Sequence, residues 1–171
     1  IDFTNFDTSS VDDMSFMFYN CSSLKSINLS NFDTASVINM NNMFSYCNQL
    51  ESLNLESFNT SQVTDMESMF SNCNQLTSLM LEYFDTTLVV YMANMFANCS
   101  SVKEIRIGKY TFNTKSVETM QYMFYNCSEL TILTFENLDT KLVKNMEYMF
   151  YNCTSLKTIS INSSIFDTSL V

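Results

Sequence analysis

Residues 6–32, FDTSSVDDMSFMFYNCSSLKSINLSNF, decide how this chain folds, because residues 32–58, FDTASVINMNNMFSYCNQLESLNLESF, repeat them with the same punctuation. Cysteine recurs at Cys21, Cys47, Cys73, Cys99, Cys127 and Cys153, at intervals of 26, 26, 26, 28 and 26 residues. Residues 1–171 therefore read as a single repeat array of about six coils, one per cysteine. The extra residues fall in one loop, at Gly108 to Thr111 and again at Asn162 to Ile165, and Gly108 is the only glycine of the chain. Glycine is expected where the loop path departs from that of its neighbours.

Each unit carries two periods. Val11, Met14, Met17, Phe18 and Cys21 recur at steps of three and four, the spacing that predicts a short helix of about three turns. Leu24, Ile27 and Leu29 follow L-x-x-L-x-L, whose end alternates in and out as a strand does. An Asp-Thr or Asn-Thr pair precedes each helical pattern, at Asp7-Thr8, Asp33-Thr34, Asn59-Thr60, Asp85-Thr86, Asn113-Thr114, Asp139-Thr140 and Asp167-Thr168. Thr is read as the N-cap, its oxygen accepting from the N–H of Val11, Val37, Val63 and their equivalents. Helix exit is placed at Asn20, Asn72, Asn98, Asn126 and Asn152, since Asn tolerates the left-handed conformation. Tyr46 interrupts that row.

The combination of F-D-T, M-x-x-M-F-x-x-C and L-x-x-L-x-L resembles the leucine-rich repeat, and most closely its BspA-like surface-protein variant, over essentially the whole chain. The resemblance implies an α/β solenoid with one short parallel strand and one short helix per coil. Departures from the pattern at Val102, Ile105 with Ile107, Asn59, Asn113 and Leu138 keep volume or polarity. An asparagine ladder after the strand is missing, and Phe32, Phe58, Phe84 and Phe112 are expected to form an aromatic spine there instead.

Strands about 4.8 Å apart give six coils a length of roughly 30 Å. The outward residues then form three rows across the sheet. The first is Ser26, Ser52, Ser78, Glu104, Ile132 and Thr158; the second is Asn28, Asn54, Met80, Arg106, Thr134 and Ser160; the third is Ser30, Glu56, Glu82, Gly108, Glu136 and Asn162. Small polar residues fill the ends, and Met80, Glu104, Arg106 and Ile132 stand in the middle. Repeat scaffolds vary outward positions freely, so these four are the candidate binding residues, against the plainer reading of drift on a solvated sheet. The helical side carries Phe16, Tyr19, Tyr122, Tyr125, Tyr148 and Tyr151, with Asn42, Ser68 and Asn94 at equivalent central positions. These rings either make contacts or simply cover the helix flank.

Composition excludes much chemistry. With no His, no Trp and one Gly, histidine metal sites, histidine-based triads and the phosphate loop are unavailable. The cysteines lack a His base and the acids are spread over many coils, so the chain reads as no enzyme, with no catalytic residue, no metal and no cofactor. A calcium ladder along the Asp row is disfavoured because Asn59 and Asn113 remove charge from it. Six free, inward thiols are expected rather than disulfides, since stacked side chains point the same way. A net charge of −10 repels nucleic acid and anionic membrane surfaces, and no apolar run is long enough to span a membrane. Asn20, Asn98, Asn126, Asn152, Asn28, Asn59 and Asn162 begin sequons, most of them through repetition of one string.

The chain starts inside a strand pattern and stops inside a helix pattern, which reads as an internal piece of a longer array. Two functions remain. One, implied by the resemblance to BspA-like proteins, is adhesion: a non-catalytic protein-binding module of a microbial cell-surface or extracellular protein, holding a host or neighbouring-cell surface protein through the exposed sheet. The other is a structural solenoid whose copies stack end to end into a filament or sheath.

Overall fold

A computed structural model describes residue 3 and residues 5–109, 111–135 and 137–161. Glu136, Asn162, the second insertion up to Ile165, the Asp167-Thr168 pair and the expected strand start at Ile1 lie outside the described residues.

Four short strands, β1 (Ser78–Leu81), β2 (Glu104–Ile107), β3 (Ile132–Phe135) and β4 (Thr158–Ile161), form one parallel sheet in chain order. Ser78 aligns with Glu104, Glu104 with Ile132, and Ile132 with Thr158. Inward Leu79, Leu81, Leu133 and Phe135 are buried while Met80, Arg106 and Thr134 are exposed, as the alternation requires. In the two preceding coils, Ile27–Leu29 and Leu53–Leu55 form no strand. There the outward Asn28 and Asn54 side chains accept from the N–H of Ser30 at 3.0 Å and of Glu56 at 2.9 Å. Such Asx turns offer the backbone an alternative to the sheet ladder. Met80 and Arg106, at the same position in the next two coils, have no side-chain oxygen to close such a turn.

The wall across the core corrects the expectation of one helix per coil: among the described residues there is no helix. Met14, Phe16, Phe18 and Asn20 donate their N–H groups to the carbonyls of Asn39, Asn41, Met43 and Ser45 in the next coil, at 2.8–2.9 Å. The intervening N–H groups of Met17, Tyr19 and Cys21 close three-residue steps onto the carbonyls of Met14, Phe16 and Phe18, at 3.3, 3.0 and 3.1 Å. Every second donor thus binds the neighbouring coil, and the rest make overlapping β-turns. This accounts for the backbone without an i→i−4 bond. φ is 57° at Phe16 and 56° at Asn20, the third residues of the first and last turns, as type II turns need. The same pair recurs as Asn42 and Tyr46, Ser68 and Asn72, Asn94 and Asn98, Tyr122 and Asn126, and Tyr148 and Asn152. The left-handed Asn positions read from sequence are therefore real, but they end turns. Tyr46, which breaks the row by type, keeps its conformation with φ 62°.

The Thr residues do not cap helices. The N–H of Val11 reaches the Thr8 backbone carbonyl at 2.9 Å, and the Thr8 hydroxyl is used between coils. It donates to the Asp33 carbonyl at 2.8 Å and accepts from the Asp33 N–H at 2.8 Å. Thr34 with Asn59, Thr86 with Asn113 and Thr114 with Asp139 repeat the clasp. The preceding Asp or Asn closes an Asx turn, Asp7 onto Ser9 N–H at 2.9 Å and Asn59 onto Ser61 N–H at 3.0 Å. Neutral Asn serves this role as well as Asp, which explains why the row need not be charged.

One core runs between the two walls. Its continuous stack is Phe18, Phe44, Phe70, Phe96, Phe124 and Phe150, with centroids 5.2–5.9 Å apart and planes within 17°. The stacked spine is thus the Phe of M-F; Phe32, Phe58, Phe84 and Phe112 are buried in the same core. All six cysteines are free. The thiols of Cys47, Cys73, Cys99, Cys127 and Cys153 donate to the Phe carbonyl of the preceding coil, as Cys73 to Phe44 at 3.2 Å and Cys99 to Phe70 at 3.1 Å. Burial pushes the Cys47 thiol up to about 11 and raises Cys73, Cys99, Cys127 and Cys153 as well.

Gly108 has no positive φ, so conformational freedom is not its reason. A Cβ there would lie 2.3 Å from the Glu82 carbonyl oxygen and 2.1 Å from Thr111 Oγ1. Glycine is required by close approach of the adjoining coil.

Candidate interaction surfaces

Met80, Glu104, Arg106 and Ile132 come together on the open face of the sheet. Met80 is in register with Arg106, and Glu104 with Ile132. Exposure reaches 37% for Met80 and 57% for Ile132, high for apolar side chains on a sheet of otherwise small polar neighbours. Arg106 Nε donates to Glu104 Oε1 at 2.8 Å. That hydrogen bond, then the Glu104 charge, holds the guanidinium above its ordinary range. A concavity of about 540 Å³ lies here, lined by Glu82, Lys103, Glu104, Arg106, Lys109 and Ile132. Three of the eight cationic residues of an otherwise acidic chain meet in it. Patterning on the sheet was sufficient to find this patch; the contribution of Lys103 and Lys109 from flanking positions was missed, since neither belongs to an outward row.

The turn wall presents a second surface that the helical reading hid. Phe16 packs on Tyr19 and Tyr19 on Tyr46, with centroids 5.4 and 5.6 Å apart. Farther along, Tyr122 stacks on Tyr148 at 5.3 Å and Tyr125 on Tyr151 at 5.2 Å. Between these groups Asn42, Ser68 and Asn94 replace the rings, leaving a trough of about 400 Å³. Asn72, Asn98, Asn126 and Asn152 form an amide ladder along its edge. Each later Nδ2 donates to the preceding Oδ1, at 3.1, 3.0 and 2.6 Å. An asparagine ladder therefore exists in this solenoid, at the left-handed turn residue before Cys73, Cys99, Cys127 and Cys153. The repeated Asn was visible in sequence, but its side-chain continuity depends on coils stacking through turns.

Among the described residues no group of three His, Cys, Asp or Glu side chains is placed to hold a metal ion, and no helix is long and apolar enough to cross a membrane.

Parallel coils closed by hydrogen bonds to the next coil, over one shared core, define a solenoid of the leucine-rich-repeat class. A leucine rich cell surface protein from Faecalibacterium prausnitzii A2-165 shares this fold, with a TM-score of 0.58 at 22% identity over 88% of this chain. The chain spans 36% of that protein's length. A family model described as "Mycoplasma protein of unknown function, DUF285" matches residues 1–110 and 74–171, and the chain belongs to that family. A leucine-rich repeat protein from Bacteroides ovatus ATCC 8483 also matches, at 19% identity over 91% of this chain and 54% of its own, with a TM-score of 0.34. No curated protein matches the chain.

Proposed function

We propose that this chain is a non-catalytic protein-binding module of a microbial cell-surface or extracellular protein, holding a host or neighbouring-cell surface protein through the open sheet. The observation that carries the reading is the contiguous patch of Met80, Arg106, Glu104 and Ile132, where exposed apolar groups flank a charged pair. Apolar anchors beside Arg are the usual centre of a protein interface. The description of the F. prausnitzii protein as a cell surface protein and the resemblance to BspA-like repeats support the location.

The test is saturable attachment of the labelled chain to cultured epithelial and bacterial cells, beside a double variant Met80→Ser with Arg106→Ala. The variant is expected to lose attachment and keep its melting temperature. Undiminished attachment by the variant would overturn the reading.

A second reading is a structural solenoid that stacks end to end. It is favoured by the coil-to-coil bonding of the turn wall, where N–H groups of one coil bond to carbonyls of the next, as Phe18 to Met43 and Phe44 to Met69 at 2.9 Å. Electron microscopy distinguishes the two: filaments that persist in the Met80→Ser, Arg106→Ala variant support stacking.

A further inference from the structure

The trough on the turn wall is built differently from the sheet patch, and we infer that it binds a neutral oligosaccharide. Its floor and sides carry Asn42, Ser68, Asn94, Ser71 and Asn98, and its lining contains no charged side chain. An ionic ligand finds no counter-charge there, and an aliphatic one finds almost no apolar floor. Amides and hydroxyls both donate and accept, which is the requirement of a ligand covered in hydroxyl groups. Tyr46 bounds one end and Tyr122 with Tyr125 the other. Tyrosine faces suit the C–H faces of pyranose rings, with the phenol O–H free for a rim hydroxyl. Tyr46 and Tyr122 are three coils apart, about 14 Å at the spacing of stacked coils. That length fits a short chain of sugar rings lying along the array.

The trough also holds a polar group that lacks a partner. Ser45 is 1% exposed and its Oγ makes no hydrogen bond. One coil later, Ser71 Oγ accepts from Asn72 Nδ2 at 2.9 Å. Tyr46 stands where that amide would be, so the exchange of Asn for Tyr orphans the Ser45 hydroxyl and supplies a ring beside it. An unpaired buried hydroxyl is destabilising, because nothing replaces the water it gives up on folding. Ser45 and Tyr46 both line the trough, so a ligand hydroxyl seated against Tyr46 is the partner this group lacks.

Peptide capture by strand addition is disfavoured by the backbone itself. The N–H groups of Asn42, Ser68 and Asn94 are already bonded to Glu67, Ala93 and Gln121 carbonyls at 2.9 Å, and those of Ser45, Ser71 and Ala97 close turns at 3.0–3.1 Å. Only side chains remain to recognise a ligand.

The test is calorimetric and tyrosine-fluorescence titration of the 171-residue chain, which has no Trp, with maltotetraose, cellotetraose, chitotetraose and mannotetraose. Saturable binding to at least one sugar is expected. Tyr46→Ala, Tyr122→Ala and Asn94→Asp should each weaken it about tenfold, or 1.4 kcal/mol. Ser45→Ala is expected to weaken binding while holding or raising the melting temperature, a combination that a purely structural hydroxyl would not give. Absence of saturable binding to all of these sugars overturns the inference, as does binding that Tyr46→Ala and Tyr122→Ala leave intact. Preferential binding of an uncharged Gly-Ser-Asn peptide, with losses in the same variants, would also overturn it.

Discussion

The Thr34 hydroxyl clasps the backbone of Asn59 from both sides, accepting from its N–H at 2.8 Å and donating to its carbonyl at 2.9 Å. Thr34 is 1% exposed, so its hydroxyl has these two backbone groups and no water as partners. Thr34→Val keeps the shape and strands a donor and an acceptor. The expected loss is about 2 kcal/mol, read as a lower urea midpoint with unchanged slope. A loss below half a kcal/mol would mean that the clasp is not a structural bond.

Gly108→Ala is expected to destabilise by steric conflict, because the Glu82 carbonyl oxygen would be 2.3 Å from the new Cβ. Removing the other neighbour does not help, since that oxygen is backbone. The double variant Gly108→Ala, Thr111→Ala should therefore melt no higher than Gly108→Ala alone. Full recovery in the double variant would move the conflict to Thr111.

Burial sets a pH dependence through the thiols. The folded Cys47 thiol lies near 11, above its ordinary 9.0, so the unfolded chain gives up this proton first. The contribution is fully present below pH 9.0 and is lost as pH rises through about 11. Urea midpoints should fall across that window, and fall less steeply in Cys47→Ala. In the folded chain near neutral pH, a thiol reagent should modify the half-buried Cys21 and Cys153 before Cys73 and Cys99.

Much of this architecture was legible in the residues. The cysteine spacing, the alternation in L-x-x-L-x-L and the outward rows lead directly to a parallel sheet carrying Met80, Arg106, Glu104 and Ile132 on one face. The helix was misread for a physical reason. Overlapping turns that bond to the next coil bring Met40, Met43, Phe44 and Cys47 inward at steps of three and four, the same steps that put residues on one side of a helix. The distinguishing signal was Ser68 and Asn94, four residues before Asn72 and Asn98: small polar groups at two fixed positions mark two left-handed residues per coil, where a helix has room for one at its end, and aromatic residues at one of these positions mask it in the other coils. The trough followed from the same error, since on a helix these residues would have been a flank. Strands missing from the early coils were likewise hidden, because Asn28 and Asn54 look like ordinary outward residues until their side chains are seen to close Asx turns.

Turns stand in place of helices along this wall, and Asn94, with φ 58° in the middle of the expected helix, tests this most directly. Compare the unfolding free energies of Asn94→Ala and Asn94→Gly. In a left-handed turn, Ala bears a steric penalty of about 1 kcal/mol that Gly does not, so the Gly variant is expected to be the more stable. In a helix interior the order reverses, with Ala favoured by about 1 kcal/mol, and that result would contradict the turn ladder.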